Sequence, residues 1–479
     1  MRAKNGRHRG LGASMVLPLF IVALLMEVPS WVWGNESIAL AASGSILPPR
    51  SLRVLCVGQR SRFPAFLRLD RISSRGVFEV ADGAARGPHC THTCTRTRMR
   101  TRTRTATPTS PRRRNEQSEL LEMSKAAKEG DVALQSVKVG PLVQEQVPLP
   151  DGISMEVLCQ APSRGLAKRR ALPPLLFIHG SYHAAWCWAE HWMPFLANKG
   201  YETYSISLRG TSGTPIPGME ADEKQGSVKG AKVKVSEHVS DVRNFVETFL
   251  PGRSPIFVSH SFGGMVLLKL MEQLAGEAEA EAETAAKSGA GAGAGEGRDG
   301  ATCFKGKMGG AVFLCSVPPS GNSAMTNRFI KERPLLAVKI VLGFVLKMAV
   351  FWPWLARDLF FSKTLEQDTL KRYMKNFRAD SMNGLDLLNL RSTLPSRFAD
   401  AEGRATWIKY APPRLVLGAE RDRIVDEIGI EEMATFLDTN SIMLPAVPHE
   451  VMLSPDWPLG VDRLLQWLET TEFQPPVSS

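Results

Sequence analysis

Between residues 256 and 274 the chain passes from a short apolar run, Ile256–Ser259 (IFVS), into a segment of helical spacing, Phe262–Leu274, with only His260 and Ser261 between them. A strand that becomes a helix within two residues must turn a sharp corner, and the positions flanking the corner must be small for the two elements to pass. Ser259 before it, and Gly263 and Gly264 after it, are small. The surrounding chain repeats the alternation. Leu175–His179 (LLFIH), Tyr204–Leu208 (YSISL), Ala311–Cys315 (AVFLC) and Arg414–Leu417 (RLVL) read as further short buried strands. Val235–Leu250 has apolar residues at Val235, Val239, Val242, Phe245 and Phe249, the spacing of a helix. Strands separated by helices predict an α/β fold with a mostly parallel central sheet covered by helices on both faces.

This texture begins near residue 136 and predicts one domain over 136–475. Residues 1–130 hold 22 Lys/Arg against nine Asp/Glu, so the formal charge of +11 belongs to that segment. The remainder holds 37 against 39, so it has no net positive charge, and no nucleic-acid partner is expected. Arg2, Lys4, Arg7 and Arg9 precede the apolar run Met15–Met26, and small residues follow at Ala39, Ala41 and Ala42. Residues 1–43 therefore resemble a signal peptide, with an uncleaved membrane anchor as the alternative. Residues 44–135 form a basic, Ser/Thr-rich, low-complexity segment read as disordered or targeting. Together they predict entry into the secretory route or an organelle, a plastid among the destinations. Seven cysteines, an odd number in a long chain, give no disulfide framework, and Cys90 and Cys94 with His89 and His92 fall inside a Thr/Arg tract that does not read as a zinc site. No metal and no cofactor is expected. Gly289–Gly293 is a low-complexity stutter, not a nucleotide-binding loop.

Two interruptions break the α/β pattern. Residues 276–300, mostly Ala, Glu and Gly, predict a low-complexity surface insertion. Residues 320–400 predict a helical cap. Within it Pro334–Phe361 is apolar nearly all round, too interrupted by Lys339, Lys347 and Pro353 for a membrane span. The expectation is a cap folded over the sheet whose surplus apolar side chains, Phe344 and Trp352 among them, line an acyl pocket. Peripheral membrane contact through the cap is the alternative.

The corner at residue 261 has the context of a nucleophile elbow, with Ser261 exposed on the turn and Ser259, Gly263 and Gly264 as its small neighbours. Such a serine needs a base, and the base an orienting carboxylate, in the chain order Ser, acid, His. His449 is the only histidine after His260. Asp422, on the loop leaving the RLVL strand, is the preferred acid, with Glu420 and Asp426 as rivals. An oxyanion hole needs two N–H donors: Phe262, after the nucleophile, and Ser181, on the loop after the first apolar strand, where Gly180 permits close approach.

With these residues in place the sequence resembles an α/β-hydrolase of the serine-nucleophile type. His179–Trp188 (HGSYHAAWCW), Ser207–Gly210 (SLRG) and His449–Ser454 (HEVMLS) resemble the plant methylesterase and hydroxynitrile lyase branch. The resemblance covers roughly 150–470, excluding the insertion and most of the cap, and implies a triad of Ser261, Asp422 and His449. Hydroxynitrile lyases carry Thr where Gly180 stands and Lys where Glu450 stands, which disfavours cyanohydrin cleavage. Epoxide hydrolases and haloalkane dehalogenases of similar fold use an Asp nucleophile, which Ser261 argues against. The leading expectation is a serine esterase or lipase-like hydrolase acting on a small-molecule, lipophilic ester. An acyltransferase on the same triad, or a weakly catalytic ligand receptor of this fold, are the alternatives.

Overall fold

The strands with the most continuous apolar sequence are the ones covered on both faces. A computed structural model describes residues 140–162, 172–216, 233–287, 304, 306–380 and 392–473, together with the dipeptides Ser37–Ile38 and Cys56–Val57. Eight strands form one sheet: β1 (Leu142–Pro148), β2 (Ser154–Gln160), β3 (Leu175–Ile178), β4 (Thr203–Ile206), β5 (Ile256–His260), β6 (Gly310–Leu314), β7 (Arg414–Ala419) and β8 (Ser441–Leu444). Their spatial order is β8-β7-β6-β5-β3-β4-β2-β1. β2 alone runs against the others; the pairs from β8 through β4 are parallel. Every residue of β3, β4, β5 and β6 is buried, so both faces of the centre are covered.

Five of these strands are those expected from the sequence, shifted by a residue or two. β1, β2 and β8 are additions. β1 exposes six of its seven residues and carries Gln and Glu at its middle, the pattern of an edge rather than a core strand.

The helices are α1 (Trp186–Ala189), α2 (Trp192–Asn198), α3 (Val235–Phe249), α4 (Phe262–Lys287), α5 (Ser323–Glu332), α6 (Pro334–Ile340), α7 (Pro353–Leu359), α8 (Gln367–Ala379), α9 (Glu427–Phe436) and α10 (Pro458–Thr470). α3 buries Val235, Val239, Val242, Phe245 and Val246 along one stripe. α4 departs from expectation. It runs on through the first twelve residues of the segment read as an insertion, because Ala and Glu are strong helix formers.

The cap lies between β6 and β7, and it is not one apolar helix. α6 gives way to a π turn at Val341–Val345 and a 3₁₀ turn at Met348–Val350 before α7 begins. Three local causes are visible. A side chain at Gly343 would collide with Leu359 and press on Leu355. Lys347 adopts a left-handed φ of 56°. Trp352 is extended, as a residue before proline prefers.

The chain divides into two units, Met1–Ser110 and Pro111–Ser479. In the first, Ser37–Ile38 pairs antiparallel with Cys56–Val57. The rest of the signal-peptide-like and basic segments, the Cys90–Cys94 cluster and residues 288–300 lie outside the described residues.

Candidate active site

The corner after β5 holds Ser261 at a φ of 51°, a left-handed conformation that a non-glycine residue adopts only when its surroundings impose it. Here the backbone imposes it. Ser261 N–H donates to the Leu314 carbonyl (3.1 Å), and the Ser261 carbonyl accepts from Gly264 (3.1 Å) and Val317 (3.2 Å). Ser259 Oγ donates to the Val312 carbonyl at 2.8 Å, locking β5 to β6. A Cβ on Gly263 would stand 2.6 Å from the His179 carbonyl oxygen and 2.8 Å from that of Ile178, so α4 crosses β3 too closely for any side chain. A Cβ on Gly264 would strike Ser316.

Ser261, His449 and Asp422, spread over 188 positions, meet at the carboxyl edge of the sheet. His449 Nε2 lies 3.2 Å from Ser261 Oγ, and His449 Nδ1 lies 2.6 Å from Asp422 Oδ2. All three are buried, Ser261 included, which corrects the expectation of a serine exposed on the turn. The other Asp422 oxygen, Oδ1, accepts from the Ile424 and Val425 amides at 2.7 and 2.9 Å, which fixes the carboxylate's orientation. Burial alone would lower the pKa of His449. The charge and hydrogen bond of Asp422, with Glu450 behind, outweigh it and raise that pKa above the ordinary value. The rival acids have other work. Asp426 caps α9 through Gly429 N–H (2.9 Å) and pairs with Arg328 at 2.7 Å, while Glu420 accepts from the Ala446 amide on the surface.

The loop leaving β3 brings Ser181 beside this group. A Cβ on Gly180 would stand 2.8 Å from Ser261 Cβ, so the loop and the corner touch backbone to side chain. Phe262 opens α4, and its N–H belongs to the first helical turn, where no carbonyl lies one turn back to accept it. His179 ties the loop down. Its Nδ1 bonds the Gly180 carbonyl at 2.8 Å and its Nε2 accepts the Leu208 amide at 2.9 Å, linking the ends of β3 and β4. Burial holds its pKa down at about 3.

The sequence marks Glu450 only as the residue standing where hydroxynitrile lyases carry lysine, and the structure gives it a place behind His449. Glu450, fully enclosed, sets Oε2 3.0 Å from His183 Nε2 and 4.0 Å from His260 Nε2. Burial would raise its pKa, yet the flanking histidines bring it down to about 2. His183 Nδ1 bonds the Ser181 carbonyl at 2.7 Å, and His260 Nε2 bonds the His449 carbonyl at 3.1 Å. A bridge thus runs from the loop carrying Ser181, through His183 and Glu450, to the segment carrying His449. These three side chains are also donor types for a transition metal, with ligand atoms within 4.8 Å of one another. His260 Nε2, however, is already committed to a carbonyl. Cys315, Asp422 and His449 form a second such group. Burial, aided by Asp422, pushes the Cys315 thiol far up, away from the thiolate form. No sequence signal marks the His183–Glu450 pairing, since its partners lie 267 positions apart.

The cap reaches the same loop. Tyr182 donates its hydroxyl to the Phe344 carbonyl, and its ring packs on Phe344 (5.2 Å) and Phe377 (6.0 Å). Glu450 N–H donates to the Phe360 carbonyl at 3.2 Å. Phe344 therefore faces inward, but Trp352 and Trp354 do not: they stack on each other at 6.0 Å and stand 38% and 57% exposed. The expectation that Trp352 lines an interior pocket is corrected by that exposure.

Residues 175–457 match the Alpha/beta hydrolase family. No curated protein matches the chain. Among solved structures the chain is similar to a bacterial membrane phospholipase A described as a virulence factor, at 16% identity and a TM-score of 0.44, over 74% of this chain and 93% of that one. A 2-hydroxy-6-oxo-6-phenylhexa-2,4-dienoate hydrolase from Rhodococcus sp. strain RHA1 aligns at 14% identity and 0.43, over 70% and 100%. A thermophilic esterase from Thermogutta terrifontis aligns at 12% and 0.42, over 69% and 98%.

Proposed function

The chain belongs to the α/β hydrolase family, and from that premise we propose that it is a serine hydrolase cleaving a lipophilic carboxylic ester through Ser261, His449 and Asp422. The observation that carries the reading is the hydrogen-bonded line from Asp422 Oδ2 to His449 Nδ1 (2.6 Å) and from His449 Nε2 to Ser261 Oγ (3.2 Å), on a serine held left-handed. His449 takes the Ser261 proton as Oγ attacks the ester carbonyl. The N–H groups of Ser181 and Phe262 receive the developing oxyanion. The alcohol leaves with the proton from His449, and water, activated by the same imidazole, releases the acid from the acyl-enzyme. Asp422 keeps His449 in the tautomer with Nδ1 protonated and favours the imidazolium that forms.

Within the branch that the motifs resemble, hydrolysis is preferred to cyanohydrin cleavage on two grounds. A threonine at position 180 would place its Cβ 2.8 Å from Ser261 Cβ. Position 450 supplies a buried carboxylate between two histidines instead of a lysine. The preference for a lipophilic ester rests on Tyr182, Phe344 and Phe377, which gather beside Ser181.

The test is labelling with a fluorophosphonate, followed by turnover of a series of p-nitrophenyl esters with and without an added alcohol. Labelling at Ser261 and release of free acid are expected. A chain that binds esters and neither labels nor turns over is a receptor, and one that passes the acyl group to the alcohol in preference to water is a transferase.

A further inference from the structure

Ten large apolar side chains are exposed among the described residues, and six of them fall between Ile330 and Trp354 in the cap. Leu335 is 80% exposed and Phe351 56%, and Trp352 and Trp354 stand on either side of Pro353, which opens α7 and fixes their spacing. The surplus belongs to the outer side of the cap, since Phe344 of the same segment faces Tyr182. Between residues 331 and 363 there are six Lys/Arg and two Asp/Glu, and Asp358 is already taken by Lys339 (2.8 Å) and Arg423 (3.0 Å). Arg378 lays its guanidinium 4.8 Å above the Phe351 ring, placing a cation directly over an exposed apolar group.

We infer that this outer face of the cap docks on an anionic phospholipid surface, with Phe351, Trp352 and Trp354 as the inserted side chains. The composition separates a bilayer from a protein partner. Cores of protein interfaces are depleted in Lys and other charges. Segments that lie in a membrane interface combine Trp and Phe with Lys and Arg, because the rings enter the headgroup boundary while the cations meet lipid phosphates. No helix among the described residues is long and apolar enough to cross a membrane, so the contact is peripheral. A chain docked this way brings the side of the cap opposite Tyr182 to the lipid.

The test is flotation of the full chain with phosphatidylcholine vesicles and with phosphatidylcholine vesicles containing phosphatidylglycerol. The chain is expected to float with the mixed vesicles, less as salt is raised. The Trp352→Ser/Trp354→Ser variant is expected to lose about tenfold or more of that partitioning, because two rings no longer leave water. A second variant, Lys331→Glu/Arg333→Glu, should lose the preference for phosphatidylglycerol. Failure of the unaltered chain to float overturns the proposal. So does flotation unaffected by the Trp pair, which would place the contact elsewhere, as in the basic N-terminal segment. A Trp-dependent dimer without flotation assigns the face to a second copy and also overturns it. Flotation is read without substrate, so vesicle binding without phosphonate labelling would remove the hydrolase reading and leave this one, and the reverse outcome would do the opposite.

Discussion

The carboxyl edge of the sheet and the cap above it use the same apolar residue types to different ends. β3, β5 and β6 bury every residue, and the loops they feed are tied at close range: Ser261 by main-chain hydrogen bonds to Leu314, Gly264 and Val317, and the Ser181 loop by the side chains of His179 and His183. The cap leaves six large apolar side chains exposed, and polar ties supplement the packing of its buried residues, Leu355, Phe360, Tyr373 and Phe377 among them. Asp380 accepts from Ser212 N (2.7 Å), Ser212 Oγ (2.8 Å) and Trp186 Nε1 (2.8 Å), Arg372 pairs with Glu190, and Tyr182 reaches the Phe344 carbonyl. A corner whose own N–H and carbonyl are both paired can hold a strained serine in place. The cap, whose Leu355, Phe360 and Phe377 are buried while Phe351 and Trp354 are not, offers one face inward and another outward. The contrast predicts that damage to the edge is large and all-or-none, whereas damage to the cap is graded.

The largest expected effect is that of acid on the edge itself. His179, His238 and His260 are buried, and burial lowers each pKa to about 3 from an ordinary 6.5. Below pH 6.5 the unfolded chain takes up protons that the folded chain refuses, so stability is full above 6.5 and falls as pH drops toward 3. Each group adds to the loss, by at most on the order of 1 kcal/mol per pH unit. Glu450, held at about 2 against an ordinary 4.5, adds its loss in the same direction below pH 4.5. His449 shifts upward and makes no further difference below 6.5, where both states hold its proton. Urea melts between pH 7 and 5 should show the steep decline. A flat profile would mean these histidines accept protons in place, and the edge would not be the rigid element described.

Next comes the nucleophile. Ser261→Ala should lower ester turnover by about a thousandfold or more and abolish phosphonate labelling, with the thermal melt essentially unchanged, because alanine keeps the main-chain hydrogen bonds and the same left-handed φ. Hydrolysis that survives the substitution would remove Ser261 from the chemistry. Gly180→Ala should follow with a loss of about a hundredfold, at a stability cost of about 1–3 kcal/mol. The new Cβ, 2.8 Å from Ser261 Cβ, must push the Ser181 loop or the corner out of line. Kinetics near the unaltered rate would show that the loop has slack.

The same contrast explains what could be read from the sequence. Central strands announce themselves as apolar runs because both faces are covered; the Ser-acid-His order pointed to Asp422 from a strand end and to His449 by elimination, and the structure sets both within hydrogen-bonding distance of one another. β1 stayed silent because it exposes Gln144, Glu145 and Gln146 along an edge. The Ser181–His183–Glu450 bridge stayed silent because a pairing across the sheet leaves no periodic trace. The cap was legible as an apolar helical excursion, yet not in its turns. Gly343 and Lys347 break it through contacts and a backbone angle that composition does not encode.

The smallest effect separates the two faces of the cap. If Phe344 forms part of the wall that an acyl chain meets, each added CH₂ of substrate should gain up to about 0.8 kcal/mol, nearly fourfold in kcat/KM, until the wall is used up. Phe344→Ala should flatten that slope while leaving acetate turnover within about threefold, because the ring packs on Tyr182 and Phe360 at the cap side of the loop. Trp352→Ser should leave the slope for soluble esters unchanged, because its ring stands in solvent against Trp354. A chain-length profile for a soluble ester series, run on the two variants side by side, decides it. Equal flattening by both would mean that the outer rings swing inward when substrate binds, and no flattening by either would mean that the acyl chain lies away from the cap, leaving Phe344 as packing for Tyr182 alone.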